Sequence, residues 1–350
     1  MWNRMLPFVA VLGAVFLALA ASACGGGSNN ATLTVITHDS YNITASLLKQ
    51  FETDNHVTVK LVPKGDAGAM LTGLILSKSN PEGDVAFGVD NVLLGRAKTA
   101  GIFEPYSSPG LSNVPADLKA DADGLVTPID YGYVNFNYDI AALQKDNLPV
   151  PKTLEDLTDP EYKGKVVVEN PASSSPGVDF LVATVGYFGP NAYLDWWAKM
   201  RKNGLVVVDS WETAYNTNFT QHGGGQPIVL SYASSPPYEQ LNATPAVETP
   251  PIGNILPPKG AFRQIEYAGI LKGTKHEELA RKFIDFLLSK PAQEDVPGQM
   301  AVYPVDSQAT VPDAFKKFGN LDAQAANVSS ADIAANEQKW IDAWTQTVLR

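Results

Sequence analysis

The chain has 350 residues, 45% of them hydrophobic and 18% charged, with a formal net charge of −11 and a single cysteine. That length can hold two domains with ample core. The acidic balance excludes the basic stripes that select nucleic acid, and a lone cysteine excludes an internal disulfide.

The first segment reads as an address. Arg4 precedes an apolar run over residues 6–20, broken by Pro7 and Gly13, and the small residues Ala21, Ser22 and Ala23 lead to Cys24. This pattern is a secretory signal over 1–23 rather than a lasting membrane span. Lipoprotein processing alkylates a cysteine placed directly after small residues. Cys24 is therefore the expected lipidation site, 24–31 a flexible linker, and the mature chain extracytoplasmic and held to the membrane through its lipid alone. Lipidation leaves no thiol free to act as a nucleophile.

Leu33-Thr34-Val35-Ile36 predicts a buried strand, and Ile43, Leu47, Leu48 and Phe51 recur at helical spacing. Residues 57–62 predict a second strand, followed by a loop through Asp66 and a helix carrying Met70, Leu71, Leu74 and Ile75. A third strand covers 84–88, and a helix 93–99. This alternation predicts an α/β fold with a largely parallel sheet. Ligands bind beyond the carboxyl ends of such strands, where the loops of His38, Asp66 and Asp90 fall.

Residues 131–138 predict an extended stretch with Tyr131, Tyr133, Asn135 and Asn137 on a wet or ligand-facing side. A second α/β run follows, with strands at 166–168, 205–208 and 228–232 and helices near 178–187 and 192–202. An extended segment at 262–271 and an amphipathic helix at 277–288 come next. In the C-terminal helix Trp340 and Trp344, four apart, share a face expected in the core. The pattern predicts two lobes, 32–128 with 270–350 and 129–269, joined by crossings near 128–138 and 260–270.

Hydroxyl-rich and aromatic stretches stand at turns where structure alone favours Gly, Asp or Asn. They include Thr37-His38-Asp39-Ser40-Tyr41, Ser173-Ser174-Ser175-Pro176-Gly177, Trp211-Glu212-Thr213-Ala214-Tyr215 and Ser231-Tyr232 with Ser235-Pro236-Pro237-Tyr238. Aromatic rings in a cleft can sandwich a flat heterocycle and face a delocalised cation. The serine run precedes a helix, where backbone N–H groups can receive an anion such as phosphate, or Ser173–Ser175 act only as an N-cap. Tyr232 and Tyr238 read equally as rim or core rings, and Asp66 as a turn or cap residue or as an acceptor for an exocyclic amine. The histidines His38, His56, His222 and His276 show no metal-ligand spacing among themselves. Gly223-Gly224-Gly225 has no following Gly-Lys-Ser/Thr, so it reads as a loop rather than a phosphate cradle.

These segments, with Asp84-Val85-Ala86-Phe87-Gly88-Val89-Asp90-Asn91, Pro128-Ile129-Asp130-Tyr131-Gly132-Tyr133, Tyr303-Pro304-Val305 and Trp340-Ile341-Asp342-Ala343-Trp344, resemble the periplasmic thiamine-binding proteins of bacterial thiamine ABC transporters. The resemblance runs in order from about residue 32 to 350. It implies a two-lobe type II periplasmic-binding-protein fold with the ligand cleft between the lobes. It also implies a monomer with thiamine or its phosphate esters as the carried ligand, no cofactor, and an ABC permease as partner. By position, Tyr232 and Tyr238 would contact the ligand's rings, and His38 stands where the family often has tyrosine. Asp66 and Ala67 match an Asp-Gly loop that contacts ligand, while Ser174 and Trp211 match the phosphate and thiazolium side. Ala67 departs from that glycine, and Ala301 stands where the family can carry tryptophan.

The same fold family also binds ferric ion, which favours paired tyrosines with a histidine or carboxylate, and polyamines, which need carboxylates around an aromatic cage. Cleavage of thiamine would need a cysteine nucleophile with a carboxylate beside it. Cys24 lies ahead of the first strand, and no Gly-x-Ser-x-Gly elbow is present, so no catalytic residue and no metal site are expected.

Overall fold

The structure, a computed structural model, describes residues 31–119, 121–320 and 323–350. The expected signal, linker and lipidated Cys24 lie outside the described residues, apart from Ala31 at the linker's edge. Among the described residues there are eleven strands: β1 Ala31–Thr37, β2 Val57–Pro63, β3 Val85–Asp90, β4 Phe103–Glu104, β5 Thr127–Asp139, β6 Val166–Glu169, β7 Val206–Val208, β8 Ile228–Tyr232, β9 Ile252–Ile255, β10 Phe262–Leu271 and β11 Tyr303–Pro304.

β1 pairs in parallel with β2 and β3, and β6 pairs in parallel with β7 and β8. The helices Ala45–Asn55 and Ala67–Leu76 supply the crossovers in the first half; in the second, Ser175–Phe188 and Tyr193–Lys202 together join β6 to β7, and the short helical turns of 211–222 join β7 to β8. Along the sheet the order is β2-β1-β3-β10-β5-β8-β6-β7. Each half thus repeats one plan, with a first strand flanked by the second and third and then an antiparallel strand arriving from the other half. β5 serves both halves. Its start, Thr127 to Val134, pairs with β10, while Val134 to Tyr138 pairs with β8, and its end also meets β9. These are the two lobes, with β5 and β10 passing between them.

The helix Ser175–Phe188 is apolar on nearly every side and buried over its first eleven residues, as befits a helix enclosed by protein. The C-terminal helix Ser330–Val348 packs on both halves, against Ser175–Phe188 and Tyr193–Lys202 of the second and against Leu94–Ala100 of the first, where Arg96 lies 3.5 Å from Glu337. The Trp344 ring meets Trp197 edge-on at 5.6 Å, and the Trp197 Nε1–H donates to Thr184 at 3.0 Å. Two large indoles fully withdrawn from water hold the helix to the second half.

Asn135 and Asn137 also differ from expectation. Both are buried, and both donate to Asn254 on β9, a strand absent from the sequence reading. The amides bond within the sheet, so this face of β5 is polar without being wet.

A second, smaller cluster of Val167, Ala214, Tyr215, Phe219, Val229 and Ile252 packs on the second lobe. It anchors the segment 211–219 and thereby fixes a wall of the site.

Candidate functional site

The carboxyl ends of the parallel strands of both lobes converge on a cavity of about 510 Å³, within the size range of small-molecule sites. β1 delivers His38 to Asn42, β2 leads to Asp66, and β8 delivers Tyr232. One glycine makes the first of these placements possible. Gly88 on β3 has φ +108°, and a Cβ there would lie 2.3 Å from the His38 ring. The imidazole occupies the space a side chain would need.

The second lobe supplies an aromatic wall. Trp211 stacks on Tyr215 with centroids 4.8 Å apart and planes 15° from parallel, and Tyr232 stands 6.2 Å from Trp211. The indole Nε1–H donates to the Ser231 hydroxyl at 2.8 Å, which locks the ring's rotation. Behind the wall, the Tyr215 hydroxyl donates to Glu239 at 2.9 Å, and His222 lies 3.1 Å from the same carboxylate. Tyr238 lines the cavity half-buried, a ring offered to a ligand rather than to the core.

Asp66 joins the two lobes. It caps the helix Ala67–Leu76 through the Ala67 N–H at 2.6 Å, and it accepts from the Ser175 N–H at 3.2 Å and the Trp211 N–H at 2.9 Å. Beside it, the Ala69 N–H donates to the Ser173 carbonyl at 2.9 Å. This approach requires Gly68, where a Cβ would come 2.8 Å from the Ser173 backbone. Burial raises the Asp66 pKa, while the N–H donors of Trp211, Ala67 and Ser175 favour its charged form.

Beneath the cavity lies a set of acids with no lysine or arginine among the cavity's lining residues. Neither Asp130 oxygen meets an N–H or O–H donor. Burial lifts Asp130 to about 7 and pushes Glu266 well above the usual carboxylate range. His38 lies 3.4 Å from Glu266, but burial lowers the imidazole to about 4. With the imidazole uncharged, the contact is not an ion pair. Asp39 is raised to about 6, first by burial and then by the charges of Asp66 and Glu212.

A pH dependence follows. Unfolded carboxyls lose their protons near pH 4, while Asp39, Asp90 and Asp130 keep theirs to about 6, 6 and 7 in the fold. Between those limits the three acids leave the folded chain with more protons than the unfolded one; His38, lowered from 6.5 to about 4, acts in the opposite sense but is one group against three, so on balance stability falls as pH rises. Asp121 and Glu52 are shifted downwards and titrate below this window. The ligand-free protein is expected to melt at a higher temperature at pH 5 than at pH 8, as read by calorimetry. A flat or rising profile would show that these acids are ionised throughout.

Of the residues singled out from sequence, His38, Asp66, Trp211, Tyr232 and Tyr238 line this one cavity, and Ala67 and Ser174 do not. Ala67 is fully buried, with its N–H on Asp66. Ser174 is also fully buried, and its Oγ accepts from the Gly177 N–H at 3.4 Å. Its neighbour Ser175 reaches the cavity instead. Sequence reasoning missed Asp39, Glu212, Tyr215, Glu239 and Glu266 as lining residues, along with Met300 and Val302 on either side of Ala301, which it had noted as a departure from the family and which lines the cavity. Asp39, Glu212 and Tyr215 lay inside the turn segments already noted. Glu266, a lone acid in an apolar run, was itself a signal.

Among the described residues, no group of three or more His, Cys, Asp or Glu is placed to hold a metal ion, and no helix is long and apolar enough to cross a membrane.

Known proteins share this architecture. The thiamine-binding periplasmic protein of Escherichia coli K12 is 31% identical over 323 residues, covering 91% of this chain and 94% of its own. A solved periplasmic thiamin binding protein superposes with a TM-score of 0.80 at 29% identity, over 91% of this chain and 96% of that one. Iron-bound HitA from Pseudomonas aeruginosa, at 20% identity, matches in fold alone, with a TM-score of 0.71 over 90% of this chain and 99% of that one. The shared architecture is the type II periplasmic-binding-protein fold. The sequence model of the bacterial extracellular solute-binding proteins matches residues 81–327, and the chain belongs to that family.

Proposed function

We propose that this protein captures thiamine or its phosphate esters outside the cytoplasm and delivers them to the permease of an ABC importer. As a solute-binding protein it carries a small molecule and catalyses nothing. The observation that carries the ligand reading is the pairing of an aromatic wall with a carboxylate-lined cavity free of lysine and arginine. Stacked rings accept a flat heterocycle and, with the surrounding carboxylates, a thiazolium cation. Names borne by its relatives point the same way. The proposed ligand contacts are His38, Asp66, Trp211, Tyr232 and Tyr238, with Ala67 and Ser174 setting the backbone that holds Asp66 and Ser175. Closure of the lobes around the ligand would present the loaded form to the permease.

Asp39, Asp66, Glu212, Glu239 and Glu266 around the rings favour one second reading, a polyamine. Titration calorimetry of the purified protein with thiamine, its mono- and diphosphate, spermidine and ferric ion separates the two. Thiamine binding at micromolar Kd or tighter, about −8 kcal/mol, supports the first reading. Spermidine binding without thiamine binding replaces it. We further propose that the protein works as a monomer anchored through lipidated Cys24. Mass spectrometry of the mature N-terminal peptide tests the anchor, which an unmodified Cys24 would rule out.

A further inference from the structure

Tyr215, His222 and Glu239 line the cavity without a part in the contacts proposed above. They come together behind the Trp211 ring. Trp211 opens the turn Trp211–Thr213, and Tyr215 lies four residues on, in the wider π-helical turn Ala214–Asn218 that continues it. That spacing puts both rings on one face. Tyr215 is fully buried, with the Trp211 ring stacked on it at 4.8 Å and the His222 ring centred 5.2 Å away.

A pair of rings accepts several offset and edge-on arrangements of similar energy. A hydrogen bond at the far end of one ring removes that freedom. The Tyr215 hydroxyl donates to Glu239 Oε1 at 2.9 Å, and His222 Nε2 lies 3.1 Å from the same oxygen. Burial, and then the charge of Glu239, keeps that hydroxyl protonated and so a donor. Glu239 sits on the helix Ser235–Asn242 beside Tyr238, the ring at the cavity's rim. One carboxylate thus ties the helix of the rim ring to the stack of the wall ring.

We propose that Glu239 is a positioning residue: by holding Tyr215 it sets the tilt at which the Trp211 face meets a flat ligand ring; this rests on the thiamine reading above. Glu239 acts as the acceptor for Tyr215 rather than as a charge offered to the ligand. Losing it leaves a buried hydroxyl unpaired, and the ring must move to find another partner.

Glu239→Gln keeps an acceptor oxygen and removes the charge, Glu239→Leu removes both, and Tyr215→Phe removes the donor. By calorimetry, thiamine affinity is expected to stay within about twofold in Glu239→Gln. It should fall about fivefold or more in Glu239→Leu and in Tyr215→Phe, and no further in the double variant. In a Trp211→Ala background Glu239→Leu should cost less than about twofold, because the face it positions is gone. General weakening of the second lobe would persist there. Near-ultraviolet circular dichroism of the ligand-free protein reads the same stack. Bands lost in Trp211→Ala should be lost in Glu239→Leu and kept in Glu239→Gln. Should Glu239→Leu not fold, Tyr215→Phe carries both comparisons. Glu239→Gln as damaging as Glu239→Leu would overturn the inference and make the carboxylate a direct charge to the ligand. A loss undiminished in the Trp211→Ala background would overturn it too. If no thiamine compound binds, the functional reading fails on its own, and the dichroism still decides: unchanged bands in Glu239→Leu overturn the positioning role.

Discussion

Replacing Trp211 with alanine is expected to weaken ligand binding by about 3 kcal/mol, the scale of a buried aromatic anchor. The indole forms the broad face of the cavity wall, and Tyr215 backs it at 4.8 Å. The backbone N–H that holds Asp66 survives the substitution, so the lobes keep their junction and the loss reports on the ring. Trp211→Phe should retain most of the stacking and lose the bond to Ser231, costing about 1 kcal/mol. Calorimetry on the two variants, with melting temperatures as a folding control, checks both. Equal losses would assign the effect to the indole N–H rather than to its face. Tyr238→Ala, at the half-buried rim, should cost less than Trp211→Ala.

The second large effect belongs to Gln264. This buried amide on β10 donates to Asp179 at 2.7 Å and to Asp90 at 3.3 Å, and it accepts from the Tyr232 hydroxyl at 2.9 Å. Gln264→Leu matches its volume while stranding three buried polar groups. Unfolding free energy is expected to fall by about 3 kcal/mol, seen as a lower urea midpoint at unchanged slope. A loss below about 1 kcal/mol would mean that the Val92 and Leu93 N–H groups on Asp90 keep the cluster satisfied without the amide. Because Tyr232 faces the cavity, some ligand affinity should be lost as well.

Much of this was legible in sequence, and the gaps have physical causes. The parallel strands announced themselves as short β-branched runs, and the strand-end rule placed His38 and Asp66 at one mouth. What Asp66 bonds to could not be read, because its donors Ser175 and Trp211 lie more than a hundred residues away. Ser174 carried the signature shared by a cap and a phosphate contact, and burial decided for the cap. The helix Lys290–Met300 was missed because Pro291, Pro297 and Gly298 look like breakers. There Gln293 ties the helix to the carbonyls of Ile129 and Leu287, so tertiary bonding overrides local propensity. The turn that ends it places Met300 and Val302 on the cavity beside Ala301, and those two were hidden with the helix.

The pairing of β10 with β3 has a consequence for how the molecule is made. β3 ends at Asp90 and finds its antiparallel partner at Glu266, so the first lobe cannot complete its sheet until most of the chain is present. Contacts of such sequence separation slow folding. A nascent chain of this topology stays open while it is being synthesised, the state in which a polypeptide can be threaded across a membrane. For a protein that works outside the cytoplasm, delayed closure keeps the polypeptide exportable until it has arrived.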